Sequence, residues 1–286
     1  MMIESLYPIM LRMLLILVAA RGLIALAGAC DRRCGKQHRE LPRKLLHVGM
    51  GIIALTYPWL FDRGWPVQML SAGFIALLLA RHVFTPLQYH VAGVIYGVGR
   101  SSRGEYYFPM VTAALFYLAH GDRLLYIVPT CLLVFADTAA AIIGSRYGRR
   151  HIGKSTEGCT AFFVTAFLGT HIALSLDPRI DRGATLSIAL QIAVVATLLE
   201  AACGRGLDNL LVPLAGFAML VALRRLGPMQ LMQLLVIELM VTGLIAAICF
   251  LMPGKKVRKN DAEKLTAVER HFGTIPVAQA KTGVPN

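Results

Sequence analysis

Charge is what this sequence has too little of. Only 16% of its 286 residues are Asp, Glu, Lys or Arg, whereas a soluble domain carries about a quarter. The mean hydropathy of +0.62 and the 56% share of apolar residues point the same way. A soluble chain of this length could not cover its surface with so few ions, which excludes an ordinary soluble globular protein. Acids are the scarcer sign, 16 against 29 Lys and Arg, leaving a net charge of +13. The cations form no basic face of a folded domain. They are scattered over short loops and the C-terminal end, which argues against nucleic acid as a partner. Lys and Arg beside membrane segments, fixing topology and meeting anionic lipid, account for them.

Other signatures are missing too. None of the six cysteines (Cys30, Cys34, Cys131, Cys159, Cys203 and Cys249) forms a C-x-x-C pair, and four lie in or beside apolar segments. Cys30 and Cys34 stand one helical turn apart, but no His or further Cys completes a zinc set, so the thiols read as small buried hydrophobes. The first apolar block, starting near residue 7, lacks a small-residue cleavage site and reads as an anchor, not a removed signal. There is no clear internal repeat and no G-x-x-x-x-G-K-[ST] phosphate loop.

What is present is a succession of apolar blocks. A spanning helix needs about 20 mostly apolar residues. On that rule the chain predicts an all-α, polytopic transmembrane helix bundle of about nine spans, near 7–29, 45–61, 65–80, 108–120, 124–143, 159–176, 184–200, 207–223 and 230–252. With the N-terminus outside, most loop and tail cations fall on the cytoplasmic side, leaving Arg63, Arg123, Arg179, Arg182, Arg224 and Arg225 opposite and Arg12 and Arg21 within the first helix. That asymmetry predicts an N-out, C-in arrangement. Residues 1–253 form the membrane domain, and 254–286 read as a polar, basic, cytoplasmic and disordered tail.

Four polar stretches interrupt the blocks, and the predicted topology puts all four at the cytoplasmic face. RKLLHVGMG (43–51) sets Arg43 and Lys44 at a membrane entrance, His47 one turn inside, and Gly49 and Gly51 where helices approach closely. RGEYYFP (103–109) places Glu105 before an apolar block, with Tyr106 and Tyr107 suited to the interface. The third stretch, FADTAAAIIGSRYGRRHIGKSTEG, carries Asp137 inside an apolar helix, where an acid costs up to about 2.5–3.5 kcal/mol. Its small neighbours leave room for a metal or a phosphate. Gly144, Gly148, Gly153 and Gly158 alternate with Arg146, Arg149, Arg150, Lys154, Ser155 and Thr156. Glycines admit an anion to backbone N–H groups, cations neutralise it, and a helix starting near 155–158 offers its positive end. A plain basic loop with flexible glycines is the alternative. In the fourth stretch, LLEAACGRGLDNLLVP (198–213), Glu200 closes one helix, while Asp208 and Asn209 open the next and suit either an N-cap or a magnesium site. Glu238, in mid-helix, has no evident role. Together these residues predict Mg-nucleotide or phosphate chemistry on a lipid, a reaction that asks mainly for positioning and charge neutralisation.

The order R-K-x-x-H, G-E, D-x-x-A-x-x-x-G-x-x-x-G, K-S-x-E-G, E, D-N-x-x-x-P over residues 43–213 resembles the polyprenol kinase family, which includes phytol kinase, dolichol kinase and CTP-dependent diacylglycerol kinases. It is distantly similar to the phosphatidate cytidylyltransferases. The resemblance implies a multispanning enzyme that moves the γ-phosphate of a nucleoside triphosphate, often CTP, onto a lipid alcohol. It implies a nucleotide site around Lys154, Ser155, Glu157 and Gly158, with Asp137, Ala140 and Gly144 on the preceding helix and Asp208, Asn209 and Pro213 in the D-N-x-x-x-P element. Ala136 stands where relatives commonly have Gly, and Lys154 is single where many have two lysines. On this reading Asp137, Asp208 and Asn209 hold Mg²⁺ on the phosphates, while Arg43, Lys44, Gly148, Arg149, Arg150 and Lys154 meet the nucleotide. Glu157 or His47 accepts the alcohol proton, and Glu105 and Glu200 are further candidates. The expected partners are a lipid alcohol, the nucleotide and the bilayer, in a bacterial cytoplasmic membrane with the site facing the cytoplasm. Two alternatives remain: a lipid-phosphate cytidylyltransferase, and a non-enzymatic transporter or structural protein. Transporters place polar groups near the midplane between repeated halves, which are not evident here.

Overall fold

Apolar blocks too long for any soluble core become helices, because a helix satisfies its own backbone polar groups where water is absent. The computed structural model describes residues 2–33, 40–80, 104–148, 151–152, 154–204 and 206–251. The predicted tail 254–286 and the cationic positions Arg149 and Arg150 lie outside them. The helices are α1 (Met2–Arg33), α2 (Glu40–Leu55), α3 (Tyr57–Leu60), α4 (Trp65–Ala80), α5 (Gly104–Leu118), α6 (Arg123–Cys131), α7 (Asp137–Tyr147), α8 (Thr156–Ser175), α9 (Arg182–Ala202), α10 (Asp208–Leu223) and α11 (Pro228–Leu251). Among the described residues five stretches are long and apolar enough to cross a membrane: Leu6–Arg33, Arg123–Tyr147, Thr156–Ser175, Arg182–Ala202 and Pro228–Ile245. The chain divides into two units, Met1–Glu238, which holds all the packing described below, and Leu239–Asn286.

Several expectations change in detail. The block at 45–61 is two helices, α2 ending at Leu55 and α3 opening with Pro58 in its first turn. Proline cannot supply the N–H that would continue the ladder. The blocks at 65–80, 108–120 and 207–223 correspond to helices of 16, 15 and 16 residues. At 1.5 Å per residue these reach about 24 Å, short of a hydrocarbon core of about 30 Å. The all-α expectation needs one small amendment. Between α7 and α8 the strands β1 (His151–Ile152) and β2 (Lys154–Ser155) pair antiparallel, His151 opposite Ser155.

The core lies between α6, α8, α9 and α10, where Val128, Leu132, Phe162, Ala166, Ile188, Ile192, Val212 and Leu220 are buried together. A second cluster joins α2, α4, α5 and α6 through Ala54, Val67, Val111, Leu115 and Tyr126, and the Tyr126 hydroxyl donates to the Ala54 carbonyl at 3.0 Å. Close backbone approach depends on small residues, as it does wherever lipid supplies no hydrophobic drive between helices. A Cβ on Gly51 would collide with Val134, and one on Gly49 would come within 2.8 Å of the Leu23 side chain.

Polar residues at the end of the bundle remote from Lys44 act as fasteners. Asp122 caps α6 and takes Arg224 Nη1 at 2.7 Å. Asp181 caps α9, and the Arg179 fork closes on Asp177 at 2.7–3.2 Å. These acids have ordinary loop roles, as their positions suggest.

Candidate active site

Six helix ends meet at one end of the bundle, and each supplies a polar group. Between α6 and α7, residues Leu132–Ala136 form a single wide turn in which the Asp137 N–H bonds back five residues to the Leu132 carbonyl. Such π-turns often mark functional sites. The shifted register brings the Leu133 carbonyl to His47 Nε2 at 3.0 Å. A carbonyl oxygen can only accept, so Nε2 carries the proton and Nδ1 the lone pair. The Phe108 ring packs edge-on to the imidazole, 5.2 Å between centroids.

Asp137 opens α7 directly after that turn. Its Oδ2 takes Lys44 Nζ at 2.7 Å and lies 3.5 Å from His47 Nε2. Both partners stand on the first two turns of α2, and the Lys44 side chain is only 8% exposed. A lysine this deep needs its counter-ion, since an unpaired charge there would be far costlier than the pair. Arg43, one residue earlier, is half-buried and close enough to His47 for its charge to be felt.

The second centre is Lys154, in β2. Its Nζ lies 2.6 Å from Glu200 Oε1 and 2.5 Å from Asp208 Oδ2. Glu200, on the last turn of α9, is almost fully buried, and Asp208 opens α10. Burial opposes the ammonium form of Lys154, yet Glu200, together with Asp208, more than offsets it and raises the lysine pKa above its ordinary value. Asp208 is not the N-cap of α10. That place is taken by Leu207, and Asp208 Oδ1 accepts from the backbone N–H of Asn209. Asn209 Nδ2 reaches the Gly104 carbonyl at 3.4 Å, tying α10 to the start of α5, where Glu105 sits half-buried. The two centres are one electrostatic cluster, because Asp137 feels Lys154 and Glu200 feels Asp137.

The glycines of the predicted loop serve helix contact in this structure. Ser155 caps α8, its Oγ accepting from Gly158 N at 3.1 Å. A Cβ on Gly158 would meet Ser155 Oγ at 2.8 Å, the Ala140 carbonyl at 2.9 Å and Gly144 Cα at 3.2 Å. Gly144 and Gly148 also face Ser155, Gly148 ending α7. The three glycines therefore draw α7 and α8 together and set Lys154 beside the ends of α9 and α10. Glu157, in the first turn of α8, accepts from Thr156 Oγ1 at 3.1 Å. Gly158→Ala is expected to open the α7–α8 contact, because a backbone carbonyl cannot move aside as a side chain can. Overpacking of this kind costs about 1–3 kcal/mol, so the protein in detergent should melt at a lower temperature than Gly169→Ala, whose Cβ meets open space.

Sequence reasoning named Lys44, His47, Asp137, Lys154, Glu200, Asp208 and Asn209, and the fold gathers them. It missed Phe108, the Leu133 carbonyl and Thr138. The Thr138 hydroxyl, next to Asp137, is buried with no hydrogen-bond partner. Nothing in a helical hydropathy pattern announces a π-turn, so the Leu133 carbonyl carried no signal. Among the described residues no group of three or more His, Cys, Asp or Glu is arranged to hold a metal. The donors present suit instead a cation arriving on phosphates. Magnesium takes one or two carboxylates and completes its shell with phosphate oxygens and water, and the unpartnered Thr138 hydroxyl leaves a polar atom to receive part of such a shell.

No family model matches the chain, and no solved structure matches it. A phytol kinase from Synechocystis sp. is 28% identical over 202 residues, which is 68% of this chain and 83% of that protein. This similarity supports the resemblance to the polyprenol kinases drawn from the motifs at 43–213.

Proposed function

We propose that this membrane protein is a lipid-alcohol kinase. It transfers the γ-phosphate of a nucleoside triphosphate, CTP in preference, to an isoprenoid alcohol such as phytol, farnesol or dolichol, or to diacylglycerol. The observation that carries the reading is the paired cluster itself. Asp137, Glu200 and Asp208 share Lys44 and Lys154 at one end of the bundle, and a phytol kinase is similar over most of the chain. Lysines held by carboxylates are a ready phosphate site, since an arriving triphosphate competes for the same ammonium groups.

In this reading Lys154 and Lys44 turn from their carboxylates to the phosphate oxygens, with Arg43 adding charge; Arg149 and Arg150, outside the described residues, are proposed to meet the nucleotide as well. Asp137, Asp208 and Asn209 are the residues that would hold Mg²⁺, which would supply charge neutralisation at the phosphates. The positive end of α8 lies toward the anion, while Gly144 and Gly148 keep α7 close. The lipid hydroxyl gives its proton to His47 or to Glu157. His47 would use Nδ1, since Nε2–H is committed to the Leu133 carbonyl. Glu200 holds Lys154 at the end of α9, and Glu105, at the start of α5, adds to the field. We infer the membrane arrangement from the same pattern: nine crossings, N-terminus outside, and the site and polar tail in the cytoplasm of a bacterium, where nucleotide is available.

Label transfer in membranes expressing the chain tests the proposal. CTP or ATP labelled at the γ- or, separately, the α-phosphate would be offered with phytol, farnesol, a longer polyprenol or diacylglycerol. The expected result is label in the lipid from the γ-position alone. Label from the α-position would move the reading to cytidylyl transfer, and none from either nucleotide with folded protein would overturn it.

A further inference from the structure

Two charges lie inside the apolar helices without partners, far from the candidate site. Arg21 is on α1, the helix spanning Leu6–Arg33, of which only 11% of the apolar window is buried. Its side chain is exposed on a stripe with Leu14, Leu17, Val18, Gly22 and Ala25, all turned away from the bundle. A Cβ on Gly22 would meet nothing within 4 Å. Among the described residues Arg21 makes no hydrogen bond and no ion pair. Arg12, one face away on the same helix, is by contrast satisfied by the Leu60 carbonyl at 2.7 Å. Glu238 stands on α11, where Met229, Met232, Leu234, Val236 and Ile237 of the same unit are exposed. Its Oε1 is buried with no hydrogen-bond partner.

The two groups are opposite in sign, and each lies within a stretch long and apolar enough to cross a membrane, Leu6–Arg33 and Pro228–Ile245. Ionisable residues inside such helices pair with one another or face a cavity. Neither group is satisfied within the chain, and each is complementary to the other.

We propose that this chain self-associates in the membrane, with Arg21 of one copy paired to Glu238 of another. The contact lays the exposed stripe of α1 against α11, and Gly22 lets the two backbones approach closely. Because every copy carries both halves of the contact, a second copy of the same chain is the partner that satisfies both groups. A twofold arrangement would make the pair twice, each copy giving its Arg21 and receiving at its Glu238. The inference does not depend on the kinase reading, since neither residue belongs to the cluster around Lys154.

The experiment counts subunits of the full chain in lipid vesicles by single-molecule photobleaching, over a range of protein-to-lipid ratios. The wild type is expected to form dimers or a larger closed assembly. Arg21→Glu and Glu238→Arg should each weaken association by about tenfold or more, and the double swap should restore it, as a directly coupled pair requires. Arg21→Gln and Glu238→Gln, which place no reversed charge in the bilayer, supply the same comparison if a reversal variant fails to fold. Circular dichroism melting in detergent reports folding independently. A monomeric wild type, single variants that associate as well as the wild type, or a folded double swap that stays apart would each overturn the proposal.

Discussion

Asp137→Asn is expected to lower label transfer by at least about 10²–10³-fold, the range seen when one preorganised electrostatic partner is lost from an active site. The substitution keeps the shape of the side chain and removes its charge. Lys44 Nζ, 2.7 Å from Oδ2 and almost fully buried, would keep a hydrogen-bond acceptor but lose its counter-ion. His47 would lose the nearest negative charge to its ring. Removing one member of a buried pair can cost about 3–5 kcal/mol, and the surviving amide acceptor should hold the loss below that. A fall in activity could therefore reflect a weaker fold. Thermal melting in detergent separates the two effects: if Asp137→Asn melts like the wild type and is inactive, Asp137 acts in the reaction. An active Asp137→Asn protein would remove it from the mechanism.

Lys154→Met is the second large effect, an expected loss of about 10²-fold or more in kcat/KM. The lysine is the sole cation that the structure shows between Glu200 and Asp208 among the described residues. Without it two carboxylates face one another at the junction of α8, α9 and α10, and like charges at that spacing repel. The helix ends should separate, measurable as faster amide exchange at 200–209. Lys154→Arg should keep the junction and lose part of the activity, since a planar fork does not reproduce a point charge shared by two acids. The pH dependence follows from the raised pKa of Lys154. A cation whose folded pKa lies above its unfolded value contributes stability fully below the unfolded value, about 10.4. That contribution is lost only as pH rises through the higher folded value. The lysine's contribution to the junction is therefore expected to hold across the neutral range and to be lost in strong alkali. An alkaline limb of the rate near pH 8 must arise elsewhere, and Lys154→Met should leave its midpoint unchanged.

Much of the fold could be read from hydropathy because a membrane helix advertises itself by length. The predicted block 65–80 coincides with α4, and 207–223 begins one residue before α10. The break at Thr56 was harder to see, since Tyr57, Trp59 and Leu60 are as apolar as the helix before them and only Pro58 gives a clue. The candidate site was legible as residue types and as a shared face. Its pairing was not. Lys44 meets Asp137 across 93 positions of sequence and Lys154 meets Asp208 across 54, and no local pattern reports such a distance. The spacing of Gly144 and Gly158 suggests an anion cradle, and it gives no sign that a Cβ at either would meet Ser155 Oγ, so their part in letting α7 and α8 touch is visible only in the fold.

That separation along the chain also orders events at the ribosome. Lys44 is made long before Asp137, and at about 5–20 residues per second the wait is roughly 5–20 s. Throughout it the first helical hairpin must keep an ammonium group at the water interface, free to withdraw, and cannot settle to its final depth. The same holds for Lys154, whose second carboxylate follows only after α9 has been threaded. Insertion and assembly are thus not successive here. The early helices enter the bilayer provisionally, and synthesis of the later ones lets them lock.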